Sequence, residues 1–263
     1  MWDAWIFGFA VVGGAMLLAS IGVMVVRRQF KTSRLRDHHE VAGYLLSIVA
    51  TLYSVLLGLI VVDTQSKYQE AKSMTQQEAD SCLDLFHLSY TVPQPERKKM
   101  HDHLREYMRI VVNKEWGSAT VDGGFDESAS VEFRGLWWTI CDYEPNGGKQ
   151  ENSYQNILDE MDDMSDGRRY RLQKARSGVP EIMWGVLIVG GCLTVLFTYL
   201  FEVEDAKAQV LMTALVALAL SLNVLLVALF SNPYKGYMQI SSYPFTYDLK
   251  VMDELLKLRP DKI

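Results

Sequence analysis

The sequence predicts an all-α membrane protein, with four transmembrane helices and a helical soluble domain inserted between the second and the third. The first observation is that the hydrophobic residues, 49% of the chain, are concentrated in blocks. The second is that four of these blocks exceed the ~18 apolar residues at which a membrane-spanning helix becomes the default interpretation. The third is that the polar stretch between the second and third blocks has a helical pattern throughout.

These blocks divide the chain into four predicted segments. Residues 1–63 hold the first two spans, at 4–26 and 41–63. Residues 64–181 form the soluble helical domain, residues 182–230 hold the third and fourth spans, at 182–202 and 208–230, and residues 231–263 form a C-terminal tail that docks on the soluble domain. We expect the first block to be retained and not cleaved as a signal sequence, because Arg27 and Arg28 stand where small cleavage-site residues belong.

The second span is the segment on which the functional interpretation depends. No proline or Gly-Pro break follows Asp63, and the next residues are good helix formers with an amphipathic pattern. We therefore predict one helix that leaves the bilayer and continues into the soluble domain. A helix of this kind can line a path through both.

The soluble domain is predicted to contain several helices around one core. Pro93 and Pro95 end the helix that continues the second span, and a new helix starts after Pro95. Its predicted buried stripe consists of Met100, Leu104, Tyr107 or Met108, and Val111. Further helices are expected at about 128–143 and 153–177, with a short one at about 246–258 in the tail.

Several function classes find no support in the sequence. The net charge of −6 gives no basic footprint for nucleic acid, so no nucleic-acid partner is expected. The three cysteines are scattered and form neither a zinc motif nor a disulfide framework. Phosphate-binding loops, nucleophile elbows and zinc-binding helix motifs do not occur. We therefore predict no catalytic residues, no cofactor and no metal site, and the chain is not expected to be an enzyme.

Two short motifs stand out, one at the end of the second span and one after the fourth. Leu57-Gly58-Leu59 followed by Tyr68-Gln69-Glu70-Ala71-Lys72 is similar to the end of a bestrophin membrane helix and its continuation. Asn232-Pro233-Tyr234, with Gly236 after it, is similar to the motif that follows the fourth bestrophin span. The order of parts is also similar, and the chain most resembles the bacterial bestrophin-like proteins.

This resemblance implies a channel for small inorganic ions in the cell membrane, namely the bacterial inner membrane, built as a homopentamer around copies of the second span. It also implies anions as the conducted ions. The hydrophobic neck of the family falls here on Thr51, Val55 and Leu59, whose spacing of four places them on one helical face. Such a face can form a dewetting constriction. Thr51 departs from the large apolar residue expected, and the alternative is that the three residues pack against neighbouring spans.

Other features leave alternatives open. Animal bestrophins carry a calcium-binding acidic run after the tail motif, whereas Lys235 and Gly236 follow here, so no calcium site is expected. The soluble domain is acidic, which would favour cations if it lined the path. The resemblance places this domain in the cytoplasm, while the basic residues between the first two spans argue for the reverse orientation. A non-conducting scaffold or sensor that presents the helical domain to a protein partner is the alternative function.

Overall fold

The computed structural model describes residues 2–29, 39–116, 126–201, 205–236 and 238–258, and these residues form helices without strands. In chain order the α-helices are α1 Trp2–Gln29, α2 His39–Leu88, α3 Glu96–Ile110, α4 Glu127–Cys141, α5 Gly148–Arg176, α6 Glu181–Tyr199, α7 Ala206–Phe230 and α8 Tyr243–Leu258. A 3-10 turn, Ser89–Thr91, follows α2, and a π-helical turn, Val111–Glu115, continues α3. The predicted all-α class is confirmed.

Four of these helices, α1, α2, α6 and α7, are long and apolar enough to cross a membrane. Each overlaps one of the four predicted spans, and the chain is a multi-pass membrane protein. α6 ends at Tyr199, and the predicted end of the third span, at residue 202, lies outside the described residues. α2 runs for 50 residues without interruption, as the absence of a helix-breaking residue after Asp63 predicted. Most of the basic segment between the first two spans falls in residues 30–38, outside the described residues.

The chain divides into two compact units. The first, called here the membrane unit, comprises Met1–Lys67 and Val179–Ser231. The second, called the bundle unit, comprises Tyr68–Gly178 and Asn232–Ile263. Because α2 crosses the boundary at Tyr68, its first part belongs to the membrane unit and its second part to the bundle unit.

Small residues bring helices together in the membrane unit. A Cβ at Gly22 of α1 would lie 2.3 Å from the hydroxyl of Tyr199 on α6, and one at Gly8 would lie 3.1 Å from Leu225 on α7. In lipid, helices associate through close packing of this kind because there is no hydrophobic gain to draw them together. At one end of these helices, Arg27 donates a hydrogen bond of 2.6 Å to the side-chain oxygen of Gln209.

The bundle unit has its own hydrophobic core, to which α2, α3, α4, α5 and α8 contribute. The predicted stripe on α3 is buried in full, and both alternatives at its third position, Tyr107 and Met108, are inaccessible. α5 begins at Gly148, five residues before the predicted start, because the carbonyl of Gly147 accepts the amide hydrogens of Gln150 and Glu151. Gly147 has a φ of 97°, a conformation that glycine adopts without strain.

α8 packs on the bundle core. α8 inserts Phe245 and Met252, both fully buried, into the same cluster as α2 and α3. The segment before α8 is held by two hydrogen bonds: the Ile240 amide donates to the Pro233 carbonyl at 2.8 Å, and the Trp116 indole donates to the Ile240 carbonyl at 3.0 Å. This chain end is therefore part of the bundle unit.

Candidate functional site

In the membrane unit, one face of α2 packs against the other spans. Tyr53, Leu57 and Ile60 are buried and form a cluster with Leu187 of α6 and Val227 of α7. The Tyr53 hydroxyl donates a hydrogen bond of 2.7 Å to the Leu187 carbonyl, so its polar end is satisfied inside the cluster.

A glycine pair on α6 makes this contact possible. A Cβ at Gly190 would lie 2.4 Å from two ring carbons of Tyr53, and one at Gly191 would lie 3.2 Å from its hydroxyl. No larger residue fits at Gly190 while Tyr53 keeps its place. The glycine therefore fixes which face of α2 is turned toward α6.

The three predicted neck residues lie on the opposite face of α2. At 3.6 residues per turn, Thr51, Val55 and Leu59 are about 160°, 200° and 240° around the helix from Tyr53. All three are exposed in the isolated chain, Val55 to 60% and Leu59 to 65%. The structure thus brings the three together on one surface that the other spans of the same chain leave uncovered.

Thr51 stands where a large apolar residue is expected, but its hydroxyl is less disruptive there than a free polar group would be. The Thr51 hydroxyl donates a hydrogen bond of 2.7 Å to the carbonyl of Ser47, one turn earlier in the same helix. Its single donor is therefore already used, and the residue can lie on an apolar face without an unsatisfied hydrogen.

Sequence reasoning missed that this exposed row continues. Val62 lies about 180° from Tyr53 and is 62% exposed. Farther along α2, in the bundle unit, the exposed positions Gln69, Ser73, Gln76 and Asp80 follow at the same alternating spacing of three and four. This spacing is the signal that could have extended the prediction from three residues to the whole row.

The polar part of this row borders a groove of about 840 Å³ in the bundle unit. Gln69, Ser73, Gln76 and Asp80 line one side, and Asp163 of α5 is among the residues that line the rest. The side-chain amide of Gln76 donates to the Asp80 carboxylate at 2.7 Å. The exposed face of α2 is thus apolar in the membrane unit and polar in the bundle unit.

The two short motifs meet in the bundle unit. The Tyr234 hydroxyl lies 2.8 Å from the hydroxyl of Thr75 and donates to the carbonyl of Ala71 at 3.2 Å. The Tyr234 amide in turn donates to the side-chain oxygen of Asn232 at 3.0 Å. Burial raises the pKa of Tyr234 to about 12, so its hydroxyl stays protonated as a donor at neutral pH.

The remaining motif residues have varied surroundings. Glu70 is exposed, and its carboxylate adds to burial in raising the pKa of Tyr170. Pro233 is buried, and Tyr68 packs against the cluster around Tyr234. Gly58 is exposed with open space around it, whereas Gly236 has a φ of 89° and its conformation favours glycine. The motif therefore joins the start of the tail to α2.

A buried network of ion pairs, missed by sequence reasoning, joins α2 to α5 and to the π-helical turn. Arg171 donates to Glu78 at 2.7 and 2.9 Å and to Glu115 at 2.8 Å. Arg168 lies 3.4 Å from Glu115 and donates to the Tyr107 hydroxyl at 3.0 Å. Burial alone would lower the pKa of Arg171, but Glu78, Tyr107 and Glu115 together outweigh it and hold the pKa well above its usual value.

Within the residues described by the structure, no group of three or more histidine, cysteine or acidic side chains could hold a metal. His101 is buried, stacks on Phe86 at 4.1 Å between ring centroids, and lies 2.6 Å from the Ser89 hydroxyl. Its pKa is lowered to about 4, chiefly by burial, so it is a neutral core residue at pH 7.

The chain is similar to one protein family and to several solved structures. A model of the Bestrophin-like domain family matches residues 13–245. A point variant of a bacterial bestrophin homolog from Klebsiella pneumoniae aligns with a TM-score of 0.66 and 10% identity, covering 94% of this chain and 98% of that one. Another crystal structure of this homolog aligns with a TM-score of 0.65 and 12% identity, covering 92% and 96%.

A crystal structure described only as a membrane protein aligns with a TM-score of 0.64 and 11% identity, covering 94% of this chain and 97% of that one. At these identities the structural likeness establishes the fold alone. The comparison with curated proteins gave no match.

Proposed function

Because this chain belongs to the Bestrophin-like family, we propose that it is a homo-oligomeric ion channel whose pore is lined by α2. The observation that carries the proposal is the exposed row of α2 opposite its packed face. Tyr53 and Leu57 pack against the other spans of the same chain. The row Thr51, Val55 and Leu59 is exposed and does not belong to this packed cluster. Copies of α2 that turn this row toward a common axis would enclose a pore.

The chemistry of the row suits a gate. Val55, Leu59 and Val62 are apolar, and rings of apolar side chains in a narrow pore exclude water and thereby block ions. Gln69, Ser73 and Gln76 would then line the hydrated continuation of the path. The same row provides a dry constriction followed by a polar passage.

The number of copies and the ion class follow from the resemblance. It implies five copies, arranged as a closed ring in which each chain contacts its neighbour through a heterologous interface. It also implies that anions are conducted. The carboxylate of Asp80 on the exposed face of α2 is the feature of this chain that opposes anions, so the ion class is to be measured together with conduction.

The experiment is planar-bilayer recording of the purified protein with substitutions in the neck. We expect Val55→Ala and Leu59→Ala to raise the open probability or the single-channel conductance, because smaller rings lower the dewetting barrier. Leu215→Ala is the matched control, since Leu215 is a leucine on α7 that is exposed to 53%, and it should leave the currents unchanged. Absence of any conductance, or equal effects of all three substitutions, would contradict the proposal.

The surface of α4 favours the alternative, a scaffold or sensor that binds a protein partner. Val131 and Trp138 are exposed to 50% and 63% and lie on one side of this helix, at i and i+7. Exposed apolar and aromatic side chains are typical of protein interfaces. An oligomer without ion flux, with a partner whose binding is lost in Trp138→Ala, would support this function.

A further inference from the structure

The buried face of α8 contains an acidic residue where an apolar one is expected. Phe245 and Met252 are fully buried in the core of the bundle unit, and Asp248, between them on the same face, is only 4% exposed. At helical spacing the three side chains form one stripe. The docking of α8 therefore takes the Asp248 carboxyl group out of water.

This carboxyl group lacks the compensation that buried charges normally have. The Oδ2 atom of Asp248 has no hydrogen-bond partner within the described part of the chain. The second acidic residue that α8 turns toward the bundle unit is different, because Asp253 accepts hydrogen bonds from Arg105 of α3. An unpaired buried carboxyl group favours its neutral, protonated form.

The charged groups of the surrounding elements reinforce this preference. On α2, Asp80 and Asp84 act on Asp248 and disfavour a further negative charge. The thiol of Cys82, also on α2, is fully buried and has its pKa raised, so it is neutral. On α5, Glu160 is a further acidic group, with a pKa that is itself raised by burial.

The nearby cations are engaged elsewhere. On α3, Arg105 and Arg109 pair with Asp253. Arg171 of α5 lies 5.9 Å from the Phe245 ring but is bound to Glu78 and Glu115. None of the ion pairs among the described residues includes Asp248.

We propose that Asp248 is a proton-binding site, and that proton uptake there strengthens the docking of α8 on the bundle unit. The docked helix binds the proton because it buries the carboxyl group, whereas an undocked helix returns that group to water. Weakly acidic solution therefore holds the C-terminal helix in place, and neutral solution loosens it.

The pH range follows from the two states of the carboxyl group. In the docked helix, burial first and the two aspartates of α2 second raise the pKa of Asp248 to about 6. In the undocked helix its pKa is near the ordinary value of about 3.9. The stabilisation is complete below pH ~4 and is lost as the pH rises toward ~6, with no further change above it.

His101 of α3 acts in the opposite direction. Its pKa is lowered to about 4, so the folded state resists protonation and loses stability as the pH falls below ~6.5. Measurements of the whole protein would therefore combine two opposed effects. The test has to observe α8 itself and to change Asp248 alone.

The experiment is amide hydrogen exchange of residues 245–256, with rates corrected for the intrinsic effect of pH, from about pH 4.5 to about pH 7.5. In the unchanged protein, protection of α8 should fall by about tenfold to a hundredfold over this range, one decade for each unit of pKa difference. In Asp248→Asn, which keeps the size and removes the charge, protection should be high and independent of pH.

Two further variants complete the test. Asp84→Asn removes one of the two charges that act on Asp248, and it should shift the transition to lower pH without abolishing it. Glu254→Gln changes an exposed acid on the same helix and should leave the transition unchanged. Protection that does not depend on pH in the unchanged protein, or the same pH dependence in Asp248→Asn, would overturn the proposal.

Discussion

At the scale of single residues, Arg171 joins three parts of the bundle unit. Its guanidinium group bonds Glu78 of α2 and Glu115 of the π-helical turn, and both carboxylates are inaccessible to water. Arg168 and the Tyr107 hydroxyl complete the network, so that two acids face two arginines. A buried group of this kind contributes through its complete pairing, because any one member left alone is a desolvated charge.

We therefore expect Arg171→Met to destabilise the protein strongly. The substitution keeps much of the side-chain volume but leaves Glu78 and Glu115 without their main partner, which costs about 3–5 kcal/mol when a buried pair is broken. Thermal unfolding of the detergent-solubilised protein measures the effect. Lys67→Met is the control, because the Lys67–Asp63 pair is exposed and should contribute less than about 1 kcal/mol.

This network also marks a limit of prediction from sequence. Glu78 and Arg171 are 93 positions apart, and Glu115 and Arg168 are 53 apart, so no local pattern connects them. The available signal was a charged residue, Glu78, on the otherwise uncharged buried face of α2 between Thr75 and Cys82. That signal indicates a buried charge but does not identify its partner.

At the scale of the helix, one face of α2 packs against other spans and the opposite face is proposed to line the pore. Tyr53, Leu57 and Ile60 hold it against α6 and α7, and the opposite face carries the row proposed to line the pore. The rotation of α2 about its own axis decides which residues can face a pore. That rotation is set by the contact of Tyr53 with Gly190.

The Tyr53 contact can be tested with a pair of glycines on α6. Gly190→Ala would place a methyl group 2.4 Å from the Tyr53 ring, and we expect a loss of about 1–3 kcal/mol from overpacking, seen as a lower unfolding temperature. Gly185→Ala is the same change on the same helix, where nothing lies within 4 Å of the new Cβ, and it should have little effect. Equal effects of both substitutions would show that the Tyr53 contact does not hold α2.

The extent of α2 could be predicted from the sequence better than its contacts with neighbouring helices. Its apolar block, the absence of a break after Asp63 and the spacing of Thr51, Val55 and Leu59 were all available in the sequence. The partner of Tyr53 was not, because a glycine on α6 becomes meaningful only when two helices approach each other. At α4, Trp137 packs against the core of the bundle unit while the adjacent Trp138 is exposed, a difference that the sequence does not indicate.

At the scale of the whole molecule, the sequence predicted the fold because hydrophobic blocks and polar helical patterns are local properties. The order of the helices along the chain followed from block lengths and from the prolines between helices. The assembly cannot be predicted in this way, since contacts between copies leave only exposed apolar residues in one chain. Val55, Leu59 and Val62 have this character.

The central claim is that copies of α2 turn this row toward a shared axis. Imaging of the purified protein in lipid nanodiscs by electron microscopy tests it most directly, because it gives both the number of copies and the place of each helix. The account predicts a ring of identical chains with α2 innermost and with Val55 and Leu59 at the narrowest part of a central opening. A single chain, or a ring in which α2 lies at the outer edge against lipid, would contradict it.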